Sequence, residues 1–447
     1  VHPFTNIVKH KESGPLVIER GEGVYVYDDE GRRYLEGMAG LWCVSLGFSE
    51  PRLVAAAKAQ MERLPYYHQF NSKSHAPGIE LAERLLEIAP VPMARVLFSN
   101  SGSEANDTQV KLVRYYANAT GRPEKHKVIA RQRGYHGVTL AAASLTGLPH
   151  VHERFGLPIE GILHTDCPHH YRFAEPGESE ERFATRLAEN LERLILAEGP
   201  ETVGAFIAEP VMGAGGVLLP PATYFEKIQA VLAKHDVLFI ADEVICGFGR
   251  TGNMFGCQTY GLKPDLITVA KALSSAYLPI SAVLISERVF EAMSEASRTS
   301  PMFAHGYTYT GHPVSAAVAL EALRIYEERD IVGHVQAVSP RFVERIRVLG
   351  EHPLVGEPRA VGLVGALELV ADKASKRPFD PGLAVGPRVQ AKAQERGVIV
   401  RAMQDNVAFS PPLIITEEQI DELLDVTAWA LDQVADELAR EARGAVA

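Results

Sequence analysis

The sequence predicts an α/β protein built on a seven-stranded, mostly parallel sheet, with a second and smaller α+β lobe. Seven short apolar runs, Val96–Phe98, Lys127–Ala130, Ile162–Thr165, Ala205–Glu209, Val237–Glu243, Leu266–Ala270 and Ala282–Ser286, are separated by longer connections. Most of these runs are continuous rather than alternating, as strands covered by helices on both faces are. After about residue 310 the pattern turns helical, over 314–329, 339–349, 384–396 and 417–443, with strand-like Leu363–Leu369 and Val398–Arg401 between.

From the N-terminus, residues 21–37 alternate apolar and polar residues on either side of Asp29-Glu30-Gly31, which predicts two strands joined by a tight turn. Helical periodicity then covers 51–64 and 78–88. The expected organisation is an opening segment, 1–50, that belongs to the small domain, a large domain over 51–310, and a small C-terminal domain over 311–447. No repeat of 20–50 residues is visible, and charge-rich Glu175–Glu181 reads as a solvated loop.

Composition narrows the function. The 447 residues are 46% hydrophobic and 23% charged, an ordinary globular profile that excludes disorder and collagen. Against 45 Lys and Arg stand 56 Asp and Glu, and the net charge of −11 is the wrong sign for a phosphate-backbone binder. Cys43, Cys167, Cys246 and Cys257 form no C-x-x-C pair, so neither a disulfide framework nor a metal site is expected, and a reducing cytoplasm fits best. No basic stretch followed by an apolar run opens the chain, and no apolar window is of membrane-spanning length, so export and membrane insertion are not expected.

Gly247-Phe248-Gly249-Arg250-Thr251-Gly252 matches G-x-G-x-x-G after a strand. The stretch Asn253–Pro264 lacks helical periodicity, so no helix N-terminus is expected to receive a pyrophosphate there. No Gly-Lys dipeptide, G-x-S-x-G or H-E-x-x-H occurs, which removes P-loop, common hydrolase and zinc-protease signatures. A sharper signal is Ser99-Asn100-Ser101-Gly102-Ser103-Glu104-Ala105-Asn106, directly after a strand and opening a helix to about Asn118. Such a loop offers N–H groups and the helix dipole to one phosphate, or Ser101 is simply an N-cap with Glu104 and Asp107 in the first turn.

Two strand ends carry charge. Asp242-Glu243 closes one apolar run, and Lys271 closes another at the same edge. A strand-end lysine suggests Schiff-base chemistry, and a structural Asp242–Lys271 ion pair is the other reading. An anion cradle, a carboxylate and an amine are the three groups that pyridoxal phosphate needs. Tyr135, in Gly134-Tyr135-His136-Gly137, offers a stacking face or is core.

The ordered blocks GEGVYVYDDEGRRYLE, SNSGSEANDT, GYHGVT, AEPVMGAGGV, ADEVICGFGRTGN, HGYTYTGHP, VIVRAM and SPPLIIT resemble the class III pyridoxal-phosphate-dependent aminotransferases, in particular the ω-transaminases that pass an amino group between amines and pyruvate. The resemblance runs nearly end to end. It implies a fold-type-I homodimer with active sites at the subunit interface, using pyridoxal 5'-phosphate that becomes pyridoxamine 5'-phosphate during turnover. On this resemblance Lys271 would form the Schiff base and then shuttle the proton between the substrate carbon and the cofactor C4′. Asp242 would pair with the pyridine nitrogen, with Glu209 in the polar network around it. Val244 and Tyr135 would flank the ring, with His136 beside it. Ser101, Gly102 and Ser103 would hold the phosphate, and Thr308 of the partner subunit would complete the cup.

The same resemblance points to Leu41, Trp42, Phe70, Tyr135 and Ala214 as substrate-pocket lining, although Trp42 and Phe70 could equally be domain core. Ala214 stands where the ornithine and γ-aminobutyrate branch has a glutamate that clasps a mobile arginine. Arg401 matches an arginine that swings inward to bind the carboxylate of pyruvate and outward to admit an uncharged side chain, its alternative being a surface salt bridge. Ile245 replaces a glutamine common in relatives, and His150 a tyrosine. An apolar pocket with small Ala214 and large Trp42 implies a hydrophobic primary amine or ω-amino donor and a ping-pong cycle with pyruvate. A β-alanine, taurine or diamine donor, or an aminomutase of the same fold, are the alternatives.

Overall fold

A computed structural model describes residues 2–300 and 302–444. The seven apolar runs form one sheet, in the order Arg95–Ser99, Ser281–Ile285, Leu266–Val269, Leu238–Asp242, Val203–Ala208, Lys127–Arg131 and Ile162–Thr165. Ser281–Ile285 is antiparallel to both of its neighbours, and the other pairings are parallel. All six residues of Val203–Ala208 are buried. The reason is that both faces of the sheet are covered. Phe206 packs on one face with Phe183, Leu187 and Leu191 of helix Glu180–Glu198 and with Phe225 and Ile228 of helix Tyr224–Lys234. Its neighbour Ile207 packs on the other face with Val110 and Val113 of helix Gly102–Ala119.

Two smaller sheets flank this core. The opening segment forms three strands rather than two, Ile18–Glu22, Tyr25–Asp28 and Arg33–Glu36. The turn at Asp29-Glu30-Gly31 is held by Asp28, whose carboxylate accepts the N–H groups of Glu30 and Arg32, and Gly31 takes a φ of +81° there. Arg33–Glu36 then pairs in parallel with Val398–Ile399, which joins the opening segment to the C-terminal part of the chain. The other sheet contains Val355–Val361, Val364–Leu369, Asn406–Phe409 and Arg401–Met403.

Three sequence expectations need correction. Val398–Arg401 is not one strand, because the chain passes from one small sheet to the other at Val400. The helix expected from residue 339 begins at Ile331 and carries Pro340 in its interior. Its start is set by Asp330, whose carboxylate accepts the Gly333 N–H at 3.2 Å. Finally, a helix does follow G-x-G-x-x-G, at Gly256–Tyr260. Its first N–H groups are already taken by the Glu243 carboxylate, at 3.0 Å from Gly256 and 2.6 Å from Cys257, and burial pushes that carboxyl up to about 7. Arg250 within the motif is buried and donates to the carbonyls of Leu363 and Pro411, tying the loop to the second small sheet.

Phe206→Ala removes a ring packed between two helices and the sheet. It is expected to destabilise the protein by about 3–5 kcal/mol, read as a fall in the apparent melting temperature at fixed scan rate.

Candidate active site

Several chain segments converge at the edge where parallel strands deliver their C-terminal ends. They enclose a cavity of about 430 Å³ whose walls include Gly102, Ser103, Tyr135, Asp242, Lys271 and Arg401. His136, Glu209, Val244, Ala214, Leu41 and Trp42 line it as well.

Asp242 is 3% exposed, and its charge is met without a cation beyond hydrogen-bond partners. Its Oδ2 lies 2.7 Å from His136 Nδ1 and accepts from Asn106 Nδ2 at 2.8 Å. Its Oδ1 accepts the Val244 N–H at 3.1 Å. Asn106 in turn accepts from Thr268 Oγ1 at 2.8 Å and donates to the His136 carbonyl at 2.7 Å. Sequence reasoning missed Asn106. The signal was its position one helical turn beyond Gly102 and Ser103, on the same face.

Lys271 lies two residues beyond the strand Leu266–Val269 and starts a short 3₁₀ turn with a φ of +49°, a left-handed conformation unusual for a residue with a side chain. Among the described residues its amine makes no hydrogen bond and no ion pair, so the structural Asp242–Lys271 pair is not formed. Burial pushes the amine below its ordinary pKa, with Arg401 adding to this and Cys43, Asp242 and Glu209 opposing it.

At the expected cradle the N-cap is seen, and two of its three residues reach the cavity. Ser101 caps helix Gly102–Ala119, its hydroxyl accepting the Glu104 N–H at 3.2 Å, and only Gly102 and Ser103 line the cavity. Gly102 sits against Val244, where a Cβ would meet the valine methyls at 3.1 and 3.2 Å. Gly137 has a φ of +131° and approaches Ser103 so closely that a Cβ would lie 2.5 Å from its hydroxyl.

Glu209 does not bond Asp242. Its two oxygens accept the N–H groups of Tyr135 and Gly213, both at 3.0 Å, so it fixes the segments carrying Tyr135 and Ala214. Burial raises its pKa. Arg401 lies at the start of strand Arg401–Met403 and has no carboxylate within ion-pair distance among the described residues, so the surface salt bridge is not formed. Burial lowers its pKa and the nearby Tyr135 opposes this.

One expected lining residue, Phe70, and Thr308, expected from a partner subunit, lie outside the cavity of this chain. Phe70 does not line the cavity; its ring lies against Gly306. Thr308 also lies outside it, its carbonyl accepting from Tyr66 Oη at 2.8 Å. His150 is exposed on the short helix Pro149–His152, and Ile245 does line the cavity. Pro3 and Phe4 line it too, which no periodicity or motif pointed to.

A family model for class III aminotransferases matches residues 7–431. The chain belongs to the class III aminotransferases. It is 56% identical to a γ-aminobutyrate transaminase named chloroplastic, from Solanum lycopersicum, over 94% of this chain and 81% of the relative. It is 54% identical to a γ-aminobutyrate transaminase named mitochondrial, from Oryza sativa, over 98% of this chain and 85% of the relative. Among solved structures, the ω-transaminase of Pseudomonas jessenii in complex with PMP superposes with a TM-score of 0.97 at 55% identity, covering 98% of this chain and 97% of that one. The fold is therefore fold type I, and as a class III aminotransferase the enzyme uses pyridoxal phosphate.

The residues present fit that cofactor. Besides the helix N-terminus, carboxylate and amine, His136 Nε2 is buried and has no hydrogen-bond partner among the described residues. Glycine at 102 leaves the approach to Val244 open.

A depressed lysine pKa is also a stability statement. Between that depressed value and the ordinary one near ~10.5, the unfolded chain binds more protons than the folded one, so stability rises with pH. Lys271→Met removes the buried amine. In the cofactor-free class III enzyme it is expected to raise the melting temperature at pH 7, with the gain shrinking toward the ordinary lysine pKa, measured by thermal denaturation across pH.

Proposed function

We propose that the protein is an amine:pyruvate aminotransferase, moving an amino group from a hydrophobic primary amine or ω-amino compound to pyruvate by a ping-pong cycle. The observation that carries the reading is Arg401, which lines the cavity of Lys271 with no carboxylate partner of its own among the described residues. A guanidinium so placed is a bidentate receptor for a keto-acid carboxylate. The remaining walls, Leu41, Trp42, Tyr135 and Ala214, are chiefly apolar or aromatic and suit an uncharged donor.

When bound, pyridoxal phosphate supplies an aldehyde that condenses with amines and a ring that accepts the electron pair left when a proton leaves the neighbouring carbon. The N–H groups at Gly102 and Ser103 would receive the phosphate, with Ser101 supporting them as the cap and the helix dipole favouring the charge. Asp242, oriented by His136 and Asn106, would hold the proton on the pyridine nitrogen. Val244 and Tyr135 would hold the ring in place. Lys271 would supply the amine that the aldehyde condenses with and the base that moves the substrate proton. Its amine must be neutral for that transfer, and burial favours the neutral form.

Phe70 and Thr308, which do not line the cavity within one chain, are supplied on this reading by the second copy of a homodimer, the usual assembly of the resemblance. The free thiols fit a reducing compartment such as the cytoplasm, although the plant relatives are named for organelles. No helix among the described residues is long and apolar enough to cross a membrane.

The plant relatives' names favour a second reading, in which γ-aminobutyrate is the donor and Arg401 binds the carboxylate of both substrates. It also qualifies the expectation, drawn from Ala214, that the chain stands apart from γ-aminobutyrate enzymes. Initial rates with 1-phenylethylamine, γ-aminobutyrate, β-alanine, taurine and putrescine, each against pyruvate and 2-oxoglutarate, separate the readings. The expected result is the highest kcat/KM for 1-phenylethylamine with pyruvate; faster turnover of γ-aminobutyrate selects the second reading.

Lys271→Ala is expected to abolish turnover and the visible absorbance of the holoenzyme, followed spectrophotometrically. Arg401→Ala is expected to raise KM for pyruvate far more than for an uncharged aldehyde acceptor. A charged contact of about 1.5–3 kcal/mol corresponds to roughly tenfold to a hundredfold. Equal losses for both acceptors contradict the carboxylate role.

A further inference from the structure

The turn that carries Leu41 and Trp42 into the cavity is strained. Ala39, Gly40 and Trp42 take φ values of +47°, +65° and +65°, and Leu41 is non-helical as well. Two of the left-handed positions bear side chains, so the turn does not persist on local preference. The group that meets it is Glu36. This carboxylate is 4% exposed and accepts the N–H of Met38 at 3.0 Å and that of Gly40. Among the described residues it has no cationic partner within ion-pair distance, and burial pushes it up to about 7.

The base from which Glu36 reaches is itself fixed. Its strand, Arg33–Glu36, pairs with Val398–Ile399, and the next residue, Gly37, donates to the Ile399 carbonyl at 2.9 Å and accepts from Ser410 N–H at 2.7 Å. Ile399 lies two residues before Arg401, and Ser410 directly follows the strand Asn406–Phe409 that pairs with Arg401–Met403. The wall formed by Leu41 and Trp42 and the segment that carries Arg401 thus share one frame.

We propose that Glu36 is a positioning residue for the amine-donor side of the cavity, which by holding the Met38–Trp42 turn in its left-handed conformation places Leu41 and Trp42 and so decides how large a donor is admitted. This rests on the reading that the cavity takes the amine donor. A carboxylate is suited to the task because it can accept two converging N–H groups at once, whereas an amide turns a donor toward one of them.

The test compares wild-type holoenzyme with Glu36→Gln, Glu36→Asp and Gly40→Ala, using 1-phenylethylamine as the large donor, 2-aminobutane as the small one, and pyruvate. Glu36→Gln is expected to lower the ratio of kcat/KM for the large donor to that for the small donor at least fivefold, with KM for pyruvate within twofold of wild type. Glu36→Asp, which keeps the carboxylate, is expected to recover at least half of that loss on a logarithmic scale. Gly40→Ala strains the same turn at a φ of +65° while keeping the carboxylate at position 36, and it is expected to shift the ratio in the same direction, which keeps the test decisive if Glu36→Gln does not fold. An unchanged ratio in the variants that fold, or equal proportional losses for both amines and pyruvate, overturns the proposal.

The chain has two tryptophans, so in a Trp429→Phe holoenzyme Trp42 is the sole indole. Its emission is expected to shift on Glu36→Gln. That readout does not depend on which amine is turned over: a wild-type enzyme inert toward both amines, with the emission shift present, defeats the donor assignment and leaves the positioning role standing, while no shift defeats the positioning role.

Discussion

One buried chain of hydrogen bonds sets the geometry of the site. Thr268 Oγ1 donates to Asn106 Oδ1, and Asn106 Nδ2 donates to Asp242 Oδ2, which His136 Nδ1 also contacts. Thr268 belongs to the strand Leu266–Val269 that leads to Lys271, Asn106 to the helix that opens at Gly102, and Asp242 to a third element. A single asparagine therefore registers the lysine's strand, the helix start and the carboxylate against one another. Because every member is buried and bonded, displacing any one leaves the others with unmet polar groups, so the arrangement is kept as a unit.

Around that unit the charges are deliberately incomplete. Asp242 is met by Asn106, His136 and the Val244 N–H, and Glu209 by backbone N–H groups, and neither forms an ion pair with Lys271. The lysine is left with burial pressing it toward the neutral amine, a poor arrangement for stability and, on the proposed function, a good one for a nucleophile and base. The left-handed backbone at Lys271 belongs to the same trade, since local strain persists where surrounding structure over-determines it. The sheet, with both faces covered by helices, supplies that rigidity.

Much of this was legible in the sequence because it depended on local order. The seven apolar runs became the seven strands of the sheet, and Asp242, Lys271, Gly102 and Ser103 reach one cavity because strand ends at one edge of a parallel sheet must. What escaped was non-local. Asn106 looks like an ordinary first-turn polar residue until Asp242 and Thr268 are beside it. Glu209 sat correctly near the site, but its partners are backbone groups of Tyr135 and Gly213, which no motif encodes. The apolar run at Val398–Arg401 gave no sign that its two halves are claimed by different sheets.

Arg401 shows how the cavity's economy bears on specificity. Its guanidinium stays charged despite burial, since an arginine does not lose its proton in this range. Having no carboxylate within ion-pair distance among the described residues, it presents a standing demand for an anion in a cavity walled largely by apolar and aromatic groups. A carboxylate substrate meets that demand directly. An uncharged donor does not, and it is accommodated only if the guanidinium can be solvated elsewhere. The strand that bears Arg401 is three residues long and runs into a turn where Gln404 takes a φ of +55°, so the side chain stands on one of the shortest supports in the fold. A carboxylate clasp at position 214 would hold the arginine in one state, and alanine leaves it to the substrate. On the proposed reading, that single missing carboxylate lets one pocket serve a charged acceptor and an uncharged donor in turn.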